Sequence, residues 1–296
     1  MELASLETCN LSEVMLNNHD SFYDFKRSIK FAYLYSKTIT LLSPFIKDEE
    51  QRDIMLSNRR IGLGLTGIAQ FVEREGITKT REFLQKGYNE VSRYDDSYSD
   101  WFGINHSIRT TTVKPSGSIS LLSGSTPGMH YAISPYYIRR IRLNEDSPIL
   151  NVLIKAGYTI EDDAYADFTK VVSIPVNSGV SRHESELSIW EQLELAALLQ
   201  ECWSDNSVSV TVKFDKLFLP KQDMNQALRF YQHRLKAVSF LPNINEGEYA
   251  QPPYQPITEF EYNLMLNQLK PLDFENMTDS HDTDDMYCNN DVCEIK

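Results

Sequence analysis

Segments with strand character alternate with segments of helical period along the chain, and this predicts an α/β protein. Two further observations support a large globular core. The 296 residues are 41% hydrophobic, 11% aromatic and 24% charged, far from the disordered class, and a chain of that length can bury a core without disulfides or a structural metal.

The elements follow in order. Ser21 to Ser43 is predicted as a buried helix, because Phe22, Phe25, Ile29, Ala32, Tyr33 and Ser36 fall near helical spacing and Pro44 stands just beyond. Asp53 to Glu73 is predicted as a second helix, followed by a polar, aromatic-rich segment to His106. Thr110 to Lys114 is a short β-branched run that meets Pro115, Ser116, Gly117 and Ser118, a strand entering a tight turn. Leu187 to Trp203, rich in leucine, alanine and glutamate, reads as a helix. In the next run Val208, Val210, Val212 and Phe214 alternate with Ser209, Thr211 and Lys213, which predicts a half-buried strand. A helix over Asp223 to Arg234, a short strand over Ala237 to Leu241, a Pro-rich connector and a helix over Thr258 to Leu269 complete the body. Residues 1–271 are expected to form that body and 272–296 a flexible tail, since residues 273–296 hold eight acids against one lysine.

The formal charge of −13 repels a phosphate backbone, which argues against a nucleic-acid polymer as partner and requires any phosphate to be bound locally. The opening MELASLETCN lacks the basic start and apolar core of a secretion signal, and four cysteines do not make a disulfide framework in a chain this long. A cytoplasmic protein is expected. The longest uncharged stretch, Pro115 to Ile138, is full of serine, glycine and proline, and no run is apolar enough to cross a bilayer.

Gly62, Gly64 and Gly67 spell G-x-G-x-x-G, but Ser57, Asn58, Arg59 and Arg60 precede them where a dinucleotide site requires a buried strand. Glycines that let packed elements approach closely are the preferred reading over a nicotinamide or flavin site. The segment KPSGSISLLSGSTPG, Lys114 to Gly128, leads from a β-like run into small residues. If a helix begins at Gly117 or Ser118, its first-turn N–H groups and the hydroxyls of Ser116, Ser118 and Ser120 could hold a phosphate; an ordinary serine-rich turn is the alternative.

Cys288 and Cys293 stand with four residues between them in a tail too polar to pack, where a structural disulfide would stabilise almost nothing. A mobile dithiol, a metal knuckle and incidental cysteines are the alternatives, and His281 is the only histidine nearby for a metal. The roughly 18 residues from Leu269 to Cys288 could span about 60 Å when extended. Cys9, beside Leu11 and Val14, reads by default as a buried inert thiol, and Cys202 as core. His130, Tyr136 and Tyr137 read as packing residues, and Arg139, Arg140 and Arg142 could meet phosphates or the body's own acids.

Taken together, ETCNLSEV (Glu7 to Val14), RIGLGLTGIAQ (Arg60 to Gln70), KPSGSISLLSGSTPGMHYAISPYYIRRIR (Lys114 to Arg142), WSDNSVSVTVKFD (Trp203 to Asp215) and the terminal cysteine pair resemble, in this order, the adenosylcobalamin-dependent, class II ribonucleotide reductases. The resemblance covers almost the whole chain but only the C-terminal half of the family's catalytic subunit. It implies the C-terminal half of a ten-stranded α/β barrel with a flexible C-terminal tail. It also implies adenosylcobalamin as the radical source and a ribonucleotide substrate, the triphosphate rather than the diphosphate. The family's finger-loop motif Asn-Pro-Cys-x-Glu, whose cysteine becomes a thiyl radical, is absent here, so the resemblance implies an N-terminal reductase polypeptide as partner. Cys9 matches one thiol of the family's reducing pair, which reverses its default reading. Pro115, Ser116, Gly117, Ser118, Ile119 and Ser120 match the substrate-phosphate cradle. Cys288 and Cys293 match the shuttle recharged by thioredoxin or a similar dithiol. A non-catalytic fragment of an interrupted reductase gene and a NAD-dependent oxidoreductase are the rival readings.

Overall fold

A computed structural model describes residues 4–5, 7–215, 221–243, 250–275, 287–289 and 292–294. In chain order the elements are β1 (Asn10–Met15), α1 (Phe22–Ile39), α2 (Glu49–Asn58), β2 (Ile61–Thr66), α3 (Ile68–Phe102), β3 (Tyr136–Asn144), α4 (Ile149–Lys155), β4 (Thr159–Asp162), β5 (Thr169–Asn177), α5 (Ile189–Cys202), β6 (Thr211–Phe214), α6 (Lys221–Tyr231), β7 (Ser239–Pro242), β8 (Tyr254–Pro256), α7 (Glu259–Gln268), β9 (Tyr287–Asn289) and β10 (Val292–Glu294). The chain divides into two compact units, Met1–Ala132 with Gly179–Asn243 and Ile133–Ser178 with Ile244–Lys296, a division that the sequence did not suggest. The acidic tail lies largely outside the described residues. Among the described residues no helix is long and apolar enough to cross a membrane.

The first unit is a row of parallel extended segments taken in chain order. β1 pairs with β2 from Asn10↔Ile61 to Met15↔Thr66. Parallel bridges Leu63↔Thr111 and Val113↔Val208 carry the row through residues 111–113 to residue 208, and β6 pairs in parallel with β7. One face of the row is apolar: Val14, Ile61, Leu63, Leu65, Val113, Val208, Val210 and Val212 are buried in one core with Phe25 and Ile29 of α1, Phe71 and Leu84 of α3, and Leu193 and Leu199 of α5. Parallel strands need helical crossovers, and α1, α3 and α5 supply both the connections and the cover.

Local signals explain the helices. Ser21 caps α1 by accepting from the Asp24 N–H, and the Ser188/Glu191 capping box starts α5. α3 bends at Gly76, whose φ of 79° and ψ of 161° are open to glycine and few other residues. The helix expected over Asp53 to Glu73 is corrected: α2 ends at Asn58 and Ile61–Thr66 is a strand buried at every position. Such a strand shows no alternation and imitates a buried helix in sequence. The segment up to His106, assigned no element from its polarity, is mostly α3.

The second unit carries a four-stranded sheet in the order β4-β5-β3-β8, all antiparallel. Leu150, Leu153 and Val172 form its small core with Ile141, Leu143, Ile160 and Ile174 around them. The Thr258/Glu261 capping box starts α7.

Candidate active site

The opposite face of the parallel row carries the polar chemistry. Side chains alternate along a strand, so Cys9, Leu11 and Glu13 share a face with Gly62 and Gly64, their register neighbours on β2. Thr112 and Lys114 continue that face on the third segment. A Cβ on Gly62 would lie 2.6 Å from Leu11, 3.0 Å from Thr112 and 3.3 Å from Cys9 Sγ, and one on Gly64 would collide with Glu13 and sit 3.1 Å from Lys114 Cε. The glycines are therefore spacers that admit large neighbours. A G-x-G-x-x-G pyrophosphate site is not built here: its first two glycines lie inside the strand, and the space in front of them is taken. Leu11 is 54% exposed, so the face stands open in this chain.

Cys9 is half-buried, not the fully buried thiol of the default reading. Burial pushes its pKa up to about 11; Arg60 and Lys114 pull down and Glu7 adds to the rise. The group is a thiol at neutral pH, suited to giving a hydrogen and poor as a nucleophile. Beside it, Arg60 holds Glu7 in a buried bidentate pair, Nε to Oε1 at 2.7 Å and Nη2 to Oε2 at 3.1 Å, with Asn58 Nδ2 donating to Oε1 at 2.9 Å. Burial raises the Glu7 carboxyl, but the bonds from Arg60, the Ala4 N–H and Asn58 outweigh it and hold the group below the usual carboxylate range. A depressed folded value means stability present above the unfolded pKa near 4.3 and lost as pH falls through the folded value. Melting curves from pH 6 to pH 3 should show an acid-side loss that Glu7→Gln flattens; an unchanged slope would remove Glu7 from the acid response.

The third segment runs from Thr111 and Val113 into the loop Pro115–Ser120. Ser116 adopts φ 51°, the left-handed region that costs a non-glycine residue strain. Its Oγ donates to Glu13 Oε1 at 2.6 Å, and Lys114 Nζ pairs with Glu13 Oε2 at 2.8 Å. A helix does begin after Ser118, but it is a 3-10 helix of five residues, Ile119–Ser123. The three expected hydroxyls do not line up: Ser116 is committed to Glu13, Ser120 is buried, and only Ser118 is exposed. Glu13 escaped sequence reasoning although the alternation Cys9, Leu11, Glu13 placed it on the thiol's face.

Trp203, Asp205 and Asn206 fix the third segment. Trp203 Nε1 donates to Thr112 O at 3.0 Å, Thr110 N–H and Oγ1 donate to Asp205 Oδ2, and Asn206 Nδ2 donates to Ile61 O and Thr111 O. His130 Nε2 accepts from the Thr211 N–H at 3.1 Å, and Cys202 is buried; both are structural, as expected. In the second unit Tyr137 is buried and Tyr136 packs on Tyr262, 5.0 Å between ring centres. Arg140 and Arg139 donate to the carbonyls of Pro252 and Pro253, and Arg142 pairs with Asp163, so the basic cluster serves its own unit.

Cys288 of β9 and Cys293 of β10 are register partners in an antiparallel pair. Directly opposed antiparallel residues have Cα atoms about 4.5–5.5 Å apart, within the range a disulfide spans. His281, the one candidate for a metal beside them, lies outside the described residues.

No protein-family profile matches the chain. It is 42% identical over 298 residues to a probable adenosylcobalamin-dependent ribonucleoside-triphosphate reductase of Dictyostelium discoideum, covering 99% of this chain and 39% of that protein. It is 44% identical over 273 residues to the adenosylcobalamin-dependent ribonucleoside-triphosphate reductase of Euglena gracilis, 90% of this chain and 37% of that one. A crystal structure of a B12-dependent, class II ribonucleotide reductase superposes with a TM-score of 0.78 at 30% identity, over 90% of this chain and 41% of that one. The chain is homologous to the adenosylcobalamin-dependent, class II ribonucleotide reductases, and it spans about two fifths of the length of the curated relatives it matches.

Proposed function

We propose that this chain is the C-terminal part of a split class II reductase that converts ribonucleotides, as triphosphates, to 2′-deoxyribonucleotides in the cytoplasm. The observation that carries this is one polar face holding the Cys9 thiol and, through Glu13, the Pro115–Ser120 loop. The five parallel segments in chain order support half of a ten-stranded barrel. Its outer edges and exposed Leu11 favour completion by a second element.

In this reading Cys9 and a second thiol together lose two hydrogens and become a disulfide, while the 2′ hydroxyl leaves as water and carbon 2′ gains hydrogen. The high pKa of Cys9 keeps that hydrogen in place until it is used. Cys9, just before β1, and Glu13 on it lie four positions apart, about 13 Å along an extended chain, room for a ribose and its phosphates between thiol and loop. The loop residues Pro115, Ser116, Gly117, Ser118, Ile119 and Ser120 would hold the phosphates. The radical cysteine comes from outside these 296 residues, in our reading from a separate N-terminal polypeptide.

Adenosylcobalamin, when bound, supplies the radical that starts the chemistry. Two cavities of the first unit, about 20 Å³ beside His130 and about 300 Å³ between α5 and α6, are each too small for a group as large as a corrin.

Cys288 and Cys293 would re-reduce the active-site disulfide and be recharged by thioredoxin or a similar dithiol; their cross-strand register supports this. The paired variant Cys288→Ser, Cys293→Ser should lose turnover driven by thioredoxin while dithiothreitol still drives it. Equal loss with both reductants contradicts a shuttle. The reading as a whole is tested by mixing the chain with its N-terminal partner, adenosylcobalamin, a ribonucleoside triphosphate and dithiothreitol: deoxynucleotide should form only when both polypeptides are present.

A further inference from the structure

Lys114 is the only formally charged side chain between Arg109 and Arg139, so it is the sole cation built into the sequence of the Pro115–Ser120 loop and its flanks. Its ammonium is already engaged. It lies 2.8 Å from Glu13, whose side chain has no exposed surface, while Lys114 itself retains 21% exposure. Ser116 donates to the other oxygen of the same carboxylate. One buried acid therefore neutralises the cation that precedes the loop and grips a residue within it.

The backbone geometry at Lys114 has a second support. Gly128, at φ 56°, packs so closely on the Lys114 carbonyl that any Cβ there would collide with it. The backbone at Lys114 is thus supported by close packing as well as by the Glu13–Lys114 ion pair.

A phosphate on the loop would bring a second anion to the same cation. Two anions sharing one partly desolvated ammonium are unfavourable unless one of them gives up its charge. Of the two, the carboxylate is the one that a single proton neutralises completely, and burial raises its pKa against the opposing pulls of Lys114 and Ser116.

We propose that Glu13 is the resting counter-ion of Lys114, displaced when an anionic phosphate loads the loop, and that loading is coupled to uptake of a proton by the Glu13 carboxyl. This rests on reading the loop as a phosphate site. Among the described residues the groups shown beside Glu13 are Lys114 and Ser116 from the third segment and uncharged Gly64 from β2, with Leu11 and the protonated Cys9 thiol farther along the same face. Lys114 is the cation among them. Linkage gives the sign: a complex that holds an extra proton weakens as pH rises.

The test is calorimetric titration of the full chain with inorganic tripolyphosphate, in buffers of different ionisation enthalpy and at several pH values. Glu13→Gln keeps the shape and hydrogen-bonding oxygen and corrects for protonation of the probe itself. Wild type should take up about one more proton per anion bound than Glu13→Gln. Glu13→Gln should bind about tenfold tighter at the high-pH end, and Lys114→Gln should lose most of the affinity. Binding with equal proton uptake in wild type and Glu13→Gln, or weaker binding in Glu13→Gln, overturns the counter-ion role. No binding to wild type overturns the phosphate-site reading beneath it.

Discussion

Replacing Cys9 with serine is expected to lower deoxynucleotide formation by the assembled enzyme at least about a thousandfold, the scale of losing a group that acts in the reaction itself. Serine fills nearly the same volume, so the fold should be untouched, and Cys9 lies in no core cluster whose packing the change would open. The hydroxyl cannot be oxidised to a disulfide, and its O–H bond is far harder to break than S–H. The loss must therefore appear in turnover with every reductant, including dithiothreitol, and should leave tripolyphosphate binding and the melting temperature within error of wild type. That pattern distinguishes a reacting thiol from a structural one. Activity unchanged after Cys9→Ser would sink the assigned role, whatever the fate of the tail pair.

How much of this was legible in the sequence depends on whether an element announces itself locally. Val208, Val210 and Val212 alternate with polar residues, and all three are buried on one face of the parallel row. α5 begins at Ser188 and Glu191 and ends near Trp203, close to the helix expected from its composition. β2 was missed because its buried run carries no period. The sheet of the second unit carries no local signature for another reason: Arg139, Arg140 and Arg142 interrupt Ile138, Ile141 and Leu143, which hides the strand's alternation. Their partners, Asp163 and the carbonyls of Pro252 and Pro253, lie far along the chain.

The site divides the same way. Cys9 was reached only through resemblance, since nothing local distinguishes a reacting thiol from an inert one. The Ser116–Glu13 hydrogen bond joins residues 103 positions apart, and no spacing rule reports such a contact. The glycine spacing was visible, but its use required knowing which side chains stand in front of it.

The largest stability effect should come from a buried pair remote from the thiol. Phe25, Ile29, Tyr33 and Lys37 follow one another at four-residue steps on the inner face of α1, which carries a lysine into the core with no exposed side-chain surface. Its Nζ donates to Asp95 Oδ1 of α3 at 2.7 Å, to Asn105 O at 3.1 Å and to Ser107 Oγ at 3.0 Å. Asp95 also accepts from Tyr33 Oη at 2.8 Å and from the Ser107 N–H at 3.0 Å. Burial pulls the Lys37 pKa down, and Asp95 works against that pull. Asp95→Ala would leave the ammonium desolvated with neutral acceptors alone, costing about 3–5 kcal/mol, a large part of the roughly 5–15 kcal/mol that holds a typical domain together. At about 2–4 °C per kcal/mol for a chain of this size, the melting temperature should fall by on the order of 10 °C. Removing both charges with Lys37→Met and Asp95→Leu should cost much less than Asp95→Ala alone, because no buried charge is then stranded. If Asp95→Ala instead shifts the melt by under about 2 °C, less than one kcal/mol on the same scale, the pair is not holding α1 to α3. The core contacts of Phe25 with Phe83 and Trp203 would then account for that packing without it.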